Sequence, residues 1–267
     1  MRAFAQHYKY LFDDWERLKK TLRSKSLFLF LDYDGTLTPI GETPDKAVIS
    51  KERKSLLNKL SRSPHCRVAI ISGRSLRDIK ALIGLKNIIY VGNHGLEIKG
   101  LKIKFSPHLK SIIRHIYEDL ANKLSKIKGV LIEDKGLTIS VHYRLVDEKD
   151  IKEFLNIFNE ITNPYLACDK IKIDAGKKVY EIKPPVVWDK GKAVLWLLGE
   201  NNIFPIYIGD DVTDEDAFLA LKDKGLTVFV GEKGVSSKAG YYLNNTEEVI
   251  EFIRRILELK KDEICQN

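Results

Sequence analysis

The sequence is poor in cysteine. It has three in 267 residues, Cys66, Cys168 and Cys265, and they lie far apart. An odd number at this spacing does not indicate a disulfide framework, and no Cys-x-x-Cys pair marks a metal site. These features predict a reducing, cytoplasmic compartment.

Long hydrophobic runs are also missing. No segment approaches the roughly 20 apolar residues that a membrane-spanning helix needs. Residues 1–26 mix Arg, Lys, Asp and Glu with aromatic residues, which is not the pattern of a signal peptide. We therefore expect no membrane association.

The sequence has no block of one charge sign. It contains 45 Lys and Arg against 37 Asp and Glu, a net charge of +8, and the charges are interspersed. This distribution predicts a lysine-rich solvated surface rather than nucleic-acid binding, and it favours an anionic small substrate. The nucleotide-binding motifs Gly-x-x-x-x-Gly-Lys-Ser/Thr and Gly-x-Gly-x-x-Gly are absent too.

Short apolar runs are present in number. Residues 27–31 are five consecutive large apolar residues, which is typical of a strand buried on both faces. Similar runs follow, with helical patterns between them, at residues 68–71, 88–91, 206–208 and 226–230. The first of these helical patterns begins at Ser50, which is a suitable helix cap. This alternation predicts an α/β fold with a doubly wound parallel sheet.

Polar clusters follow these strands, at the edge where parallel sheets bind ligands. The clusters are Asp32 and Asp34, Ser72-Gly73-Arg74, Gly92-Asn93-His94-Gly95, and the acidic stretch 209–216. The carboxylates of the last cluster repel one another unless a cation is near. Taken alone, each cluster also has a structural reading, since Asp, Gly and Thr form turns, Ser72 suits a helix cap and Lys190 suits a solvated surface.

The pattern changes between about residues 106 and 184. Here we predict a helix at 108–127, strands at 129–134 and 137–144 joined by a hairpin turn at Asp134-Lys135-Gly136, a helix at 147–161, and strands at 165–173 and 177–183. Alternation places Ser140, His142 and Arg144 on one polar face, and Lys177 with Glu181 on another. We expect three parts: a core (1–105) that begins with a helix at 4–23, an inserted smaller α+β cap domain (106–184), and the rest of the core (185–267).

The sequence resembles the haloacid dehalogenase superfamily, and within it the trehalose-6-phosphate phosphatases. The resemblance lies in seven stretches, Asp32 to Ile40, Ser72 to Arg74, Gly92 to Gly95, Val141 to Arg144, Lys178 to Pro184, Trp188 to Ala193 and Gly209 to Phe218. It implies a Rossmann-like core, an inserted cap, and Mg²⁺-dependent hydrolysis of trehalose 6-phosphate through an aspartyl-phosphate.

The same resemblance implies a role for each matching residue. Asp32 is the expected nucleophile and Asp34 the acid and base. Ser72 is expected to hydrogen-bond a phosphate oxygen, and Lys190 to balance the charges of the nucleophile and the phosphate. Mg²⁺ is expected on Asp32, Asp210 and the Asp34 backbone carbonyl, with Asp211 and Asp214 behind them. The expected substrate-binding residues are Thr36, Gly73, Arg74, His94, Arg144, Lys177 and Glu181.

Other functions stay open at this point. Sucrose-phosphate and mannosyl-3-phosphoglycerate phosphatases resemble the same core and differ mainly in the cap, because fold alone does not fix substrate. A regulatory module without turnover is a further alternative, although such a module is expected to lack a nucleophile or metal ligand, and Asp32, Asp34, Lys190 and Asp210 are all present. Whether a trehalose-phosphate synthase binds as a partner is also open.

Overall fold

The structure is a computed structural model that describes residues 8–99, 107–186, 188–200 and 202–264. The chain divides into two compact units. The first comprises Met1–Gly100 and Trp188–Asn267, and the second comprises Leu101–Val187. The predicted cap segment, 106–184, falls within the second unit.

The described residues form twelve strands and eight α-helices. The strands are β1 (Lys9–Tyr10), β2 (Leu27–Leu31), β3 (Cys66–Ile71), β4 (Ile89–Gly92), β5 (Glu97–Ile98), β6 (Leu131–Asp134), β7 (Ile139–His142), β8 (Lys172–Gly176), β9 (Val179–Lys183), β10 (Phe204–Gly209), β11 (Leu226–Val230) and β12 (Tyr241–Leu243). The helices are α1 (Trp15–Arg23), α2 (Lys51–Ser61), α3 (Leu76–Ile83), α4 (Pro107–Leu124), α5 (Ile151–Ala167), α6 (Lys190–Leu198), α7 (Glu215–Ala220) and α8 (Thr246–Ile264).

The first unit is built on an eight-stranded sheet in the order β1-β12-β11-β10-β2-β3-β4-β5. All neighbours are parallel except β4 and β5. Strand β2 lies in the middle, and all five of its residues are buried, as their continuous apolar run predicts. Its neighbours are β10 and β3, so the residues that follow these three strands share one edge of the sheet.

Helices cover both faces of this sheet. On one face, Leu29 and Ile208 belong to a core cluster with apolar residues of α1, α2, α3 and α8. On the other face, Tyr207 packs edge-on against Phe218 of α7, with ring centroids 5.7 Å apart. The prediction of a doubly wound α/β core is confirmed.

The N-terminal segment corrects one prediction. A single helix was expected at 4–23, but residues 4–7 lie outside the described residues and α1 begins only at Trp15. Before it, β1 pairs in parallel with β12. The pairing satisfies backbone groups at the sheet edge and places the Tyr10 ring 5.5 Å from that of Tyr242. By contrast, Ser50 caps α2 by accepting from the Arg53 N–H, as predicted.

The second unit has its own sheet, in the order β6-β7-β9-β8, with antiparallel pairs throughout. The predicted hairpin turn at residues 134–136 joins β6 to β7. Helices α4 and α5 pack on one face of this sheet around buried residues such as Ile139, Val141 and Phe154.

The second unit also corrects two strand boundaries. A strand was expected from residue 165, but α5 continues through Pro164 to Ala167 and β8 starts at Lys172. The stripe of Phe154, Phe158 and Ile161 favours continued helix, which ends before Asp169 at φ 52°. The last strand begins at Val179, so Lys177 lies in the turn before it.

Candidate active site

The candidate site is centred on Asp32, directly after β2. Its backbone N–H donates to the Ile208 carbonyl, 2.9 Å away, which continues the parallel pairing with β10 by one residue. The Asp32 side chain is buried and accepts from Lys190 Nζ at 2.8 Å. Lys190 Nζ also donates to Asp214 Oδ1 at 2.7 Å, so one buried ammonium joins two buried carboxylates.

In this ion group, burial and the oppositely charged neighbours have opposite effects on the pKa values of Asp32 and Lys190. Burial raises the pKa of the Asp32 carboxyl well above its usual range, and the Lys190 charge only partly offsets this. Burial alone would lower the pKa of Lys190, but Asp214 and Asp32 outweigh it and the pKa is raised. Lys190 therefore stays charged and compensates the carboxylates that surround it.

Asp214 is held by four donors. Lys190 Nζ and the Tyr207 hydroxyl donate to Oδ1, and the backbone N–H groups of Asp210 and Asp211 donate to Oδ2. A carboxylate has about four acceptor sites, so Asp214 is fully satisfied. Burial, followed by the Asp214 charge, raises the pKa of Tyr207 well above its usual range, so its hydroxyl keeps its proton and donates. The sequence analysis did not single out Tyr207.

Three carboxylates in this site form a group that can hold a metal ion. One oxygen from each of Asp32, Asp210 and Asp214 lies within 4.8 Å of the others. Because the oxygens of Asp214 are occupied by four donors, Asp32 and Asp210 are the better suited ligands. The backbone fits closely here, since a Cβ at Gly35 would lie 2.1 Å from Asp210 Oδ2. Thr36 Oγ1 donates to Asp210 Oδ1 at 3.5 Å.

Asp34 is paired with Arg74. The guanidinium donates to both carboxylate oxygens at 2.7 Å, and it also donates to the Pro44 carbonyl. Charged bidentate contacts of this kind fix orientation as well as adding energy. Ser72 is buried, and its Oγ accepts from the Arg74 N–H at 3.1 Å. The structure thus brings Asp34, Ser72 and Arg74 together and places the Arg74 side chain on Asp34.

The segment after β4 supports this turn. The Asn93 and His94 N–H groups donate to the Arg74 and Ser72 carbonyls at 2.8 and 3.0 Å. Both donor residues have left-handed backbones, at φ 49° and 52°. The His94 ring lies so close to Gly73 that a Cβ there would be 2.5 Å from His94 Cε1. Gly73 is therefore required by contact with the imidazole.

Helix α6 is anchored on the same segment. Trp188 Nε1 donates to the Gly95 carbonyl at 2.8 Å. Asp189 caps the helix by accepting from the Lys192 N–H, also at 2.8 Å. These two contacts fix the first turn of α6, which carries Lys190. Trp188 lies in one of the stretches of family resemblance, which implied no role for it.

The predicted substrate residues of the second unit lie around β7 and β9. Glu181 accepts from Lys135 Nζ at 2.6 Å and from the Ser140 hydroxyl. Arg144 Nη2 donates to the Lys177 carbonyl at 3.1 Å. The expectation that strand alternation groups Lys177 with Glu181 is wrong, because Lys177 precedes the strand. Lys135 had been read only as a turn residue.

Comparison with solved structures defines the class of the fold. It is shared with a haloacid dehalogenase-like hydrolase from Bacteroides thetaiotaomicron, at a TM-score of 0.61 and 17% identity over 87% of this chain and 100% of that one. The C-terminal domain of a Candida albicans trehalose synthase regulatory protein has the same fold, at a TM-score of 0.68 and 16% identity over 89% and 97%. The chain has a haloacid dehalogenase-like fold.

The sequence comparisons define the family. The trehalose-phosphatase family pattern matches residues 30–247. A Zea mays trehalose 6-phosphate phosphatase is 34% identical over 92% of this chain and 74% of its own length. The C-terminal domain of a C. albicans trehalose-6-phosphate phosphatase superposes with a TM-score of 0.79, at 25% identity over 95% and 99% of the two chains. The chain belongs to the trehalose-phosphatase family of phosphoric monoester hydrolases.

None of the helices in the described part of the chain combines the length and apolar character needed to cross a membrane.

Proposed function

We propose that this chain hydrolyses trehalose 6-phosphate to trehalose and phosphate through an aspartyl-phosphate on Asp32, with Mg²⁺ as cofactor. The observation that carries the proposal is the buried Lys190 ammonium, 2.8 Å from Asp32 and 2.7 Å from Asp214. It supplies positive charge beside a carboxylate that stands at the end of the central strand. Phosphoryl transfer needs mainly this kind of positioning and charge neutralisation.

In the first step, an Asp32 oxygen attacks phosphorus and the bond between phosphorus and the sugar oxygen breaks. Asp34 gives its proton to that leaving oxygen. In the second step, Asp34 takes a proton from water, the water oxygen attacks phosphorus, and the bond to Asp32 breaks. Arg74 holds both oxygens of the Asp34 carboxylate, so one of these contacts must open before Asp34 carries its proton, and the other then aims the carboxyl group.

The metal would be held by Asp32, Asp210 and the backbone carbonyl of Asp34. When bound, Mg²⁺ neutralises charge on the phosphate oxygens. The close fit of Gly35 against Asp210 supports this assignment, because it brings the backbone after Asp34 against a carboxylate. Asp214 and Asp211 would position the lysine and the metal-binding loop without binding the metal themselves.

The remaining roles concern the substrate. Ser72, Gly73, Arg74 and Thr36 would contact the phosphate, while His94, Arg144, Lys177 and Glu181 would contact the sugar. Glu181 is supported by its place in a polar cluster with Lys135 and Ser140 on this sheet. We also propose a cytoplasmic location, which the low cysteine content of the sequence supports.

The test compares wild type and Asp32→Asn with trehalose 6-phosphate, with Mg²⁺ and with a chelator. Asparagine keeps the shape of the side chain but removes the anionic nucleophile and one metal ligand. Phosphate release should fall by at least ~10³-fold in the variant, and the wild type should lose activity in chelator. The matched control is Asp223→Asn, an exposed residue at φ 64° that asparagine tolerates.

Full activity of Asp32→Asn, or of the wild type in chelator, would refute the mechanism. If sucrose 6-phosphate or mannosyl-3-phosphoglycerate were hydrolysed as fast as trehalose 6-phosphate or faster, the assignment of trehalose 6-phosphate as the substrate would be refuted.

A further inference from the structure

We propose that Tyr207 is a positioning residue for phosphoryl transfer, whose hydroxyl holds Asp214 so that Lys190 stays on Asp32. The inference rests on the proposed function, since it assigns a part in the chemistry at Asp32. It concerns a residue that touches neither the phosphate nor the metal in that scheme.

The carrying observation is a short chain of contacts on one carboxylate oxygen. The Tyr207 hydroxyl donates to Asp214 Oδ1 at 2.6 Å. Lys190 Nζ donates to the same oxygen at 2.7 Å, and to Asp32 Oδ1 at 2.8 Å. The Tyr207 hydroxyl and the Lys190 ammonium therefore donate to the same oxygen of Asp214. The ammonium also donates to Asp32, so it bridges the two carboxylates.

Packing alone does not require a tyrosine here. Tyr207 is fully buried on the face of β10 opposite Ile206 and Ile208, with its ring edge-on to Phe218. Phenylalanine fills nearly the same space and makes the same ring contact. The hydroxyl is what distinguishes the two side chains, and it donates to Asp214. A tyrosine hydroxyl in an apolar layer is favourable only with such a partner.

The Tyr207 hydroxyl weakens the pull of Asp214 on Lys190, which leaves the ammonium in contact with Asp32 as well. Asp214 is buried, so its two oxygens depend on their four hydrogen-bond donors in place of water. Without the phenol, Oδ1 keeps Lys190 as its one side-chain donor, and the attraction between them becomes stronger. Lys190 then moves its charge toward Asp214 and away from Asp32, where the aspartyl-phosphate forms. The expected loss is in turnover, because the contact between Lys190 and Asp32 matters most as charge develops.

The experiment compares Tyr207→Phe with Tyr90→Phe in the full chain. Tyr90 is also a buried strand tyrosine, and its hydroxyl donates to the Leu85 carbonyl at 2.8 Å and accepts from the Leu85 N–H at 3.0 Å, away from the ion group. We expect kcat for trehalose 6-phosphate to fall roughly 10-fold or more in Tyr207→Phe, the effect of losing a hydrogen bond to a charged group. KM should change less than about twofold, and Tyr90→Phe should keep the wild-type kcat.

A second measurement does not depend on the stability of the Tyr207 variant. In wild type labelled at tyrosine, the Tyr207 hydroxyl proton should give a slowly exchanging, downfield resonance. Asp32→Asn should shift this resonance, because Lys190 joins Asp32 to the carboxylate that binds the phenol. A resonance that does not move overturns the inference, since the hydroxyl is then uncoupled from the nucleophile.

The outcomes separate the two proposals. An inactive wild type counts against the proposed function. An active wild type with equal kcat in Tyr207→Phe and Tyr90→Phe counts against the role of Tyr207 alone. A loss confined to KM also contradicts that role, because it indicates substrate binding.

Discussion

At the scale of single residues, the site depends on close approaches that leave no room for a side chain. Gly35 has φ 88°, and a Cβ there would meet Asp210 Oδ2 at 2.1 Å. Two separate reasons therefore restrict this position to glycine: the left-handed backbone conformation, and the lack of space for a Cβ. The turn after Asp34 is shaped by the carboxylate that follows β10, so the two halves of the candidate metal site constrain each other.

Replacing Gly35 with alanine should displace the Asp210 carboxylate from its present position, because the new Cβ would overlap it. We expect phosphatase activity to fall at least ~100-fold, in line with the effect of displacing catalytic groups by about 1 Å. The measurement is phosphate release at saturating Mg²⁺. The matched control is Gly136→Ala, because Gly136 has φ 77° but no atom within 4 Å of its Cβ position. If both variants lose activity equally, backbone strain rather than the contact with Asp210 is responsible.

At the scale of elements, one buried lysine joins the two ends of the core. Lys260 in α8 is almost fully buried and donates to the carbonyls of Leu22, Arg23 and Lys25 at 2.9, 2.6 and 2.7 Å. The last carbonyls of a helix have no partner within that helix, so the ammonium caps the end of α1. Helix α1 is thus held to α8 by hydrogen bonds from a buried ammonium as well as by its apolar stripe.

Lys260→Met should destabilise the protein without changing its chemistry. Methionine fills the space of the stem but leaves the buried carbonyls of α1 without this donor. We expect a loss of about 1–3 kcal/mol in the free energy of unfolding and an unchanged kcat. Chemical denaturation and a phosphatase assay test both expectations, with the exposed neighbour variant Lys261→Met as control. Equal stability of the two variants would show that the cap at Lys260 contributes nothing.

At the scale of the whole molecule, the chain consists of two units with separate cores and different sheets. The first unit carries Asp32, Lys190, Asp210 and Asp214 after strands of one parallel sheet. The second unit carries a cluster of charged and hydroxyl groups on an antiparallel sheet. In the proposed function, the chemistry belongs to residues of the first unit, and three of the proposed sugar contacts, Arg144, Lys177 and Glu181, belong to the second.

Arg144→Ala in the second unit should separate specificity from chemistry. We expect kcat/KM for trehalose 6-phosphate to fall roughly 10- to 100-fold, the effect of leaving a polar partner unpaired. Hydrolysis of p-nitrophenyl phosphate, which lacks the sugar, should change less than about twofold. Lys149→Ala, in an exposed loop of the same unit, is the control. An equal loss on both substrates would contradict the sugar-binding role.

The amino-acid sequence was sufficient for the features that depend on neighbours along the chain. The apolar run before Asp32 predicted a central strand, and Ser50 predicted a helix start, because burial on two faces and capping are local patterns. The position of Asp32 and of Asp210 at strand ends followed from the same runs. Family resemblance then suggested their chemistry.

Only the tertiary structure decided the features that depend on residues far apart in sequence. Strand β1 forms because a distant edge strand, β12, is available to it, whereas its own sequence favours helix. In the sequence, Tyr207 resembles the other buried residues of its strand. Only the folded chain shows that its hydroxyl donates to Asp214, which also binds Lys190. In each case the structure is stabilised by a contact with a residue that lies far away in the sequence, so the local sequence pattern does not show it.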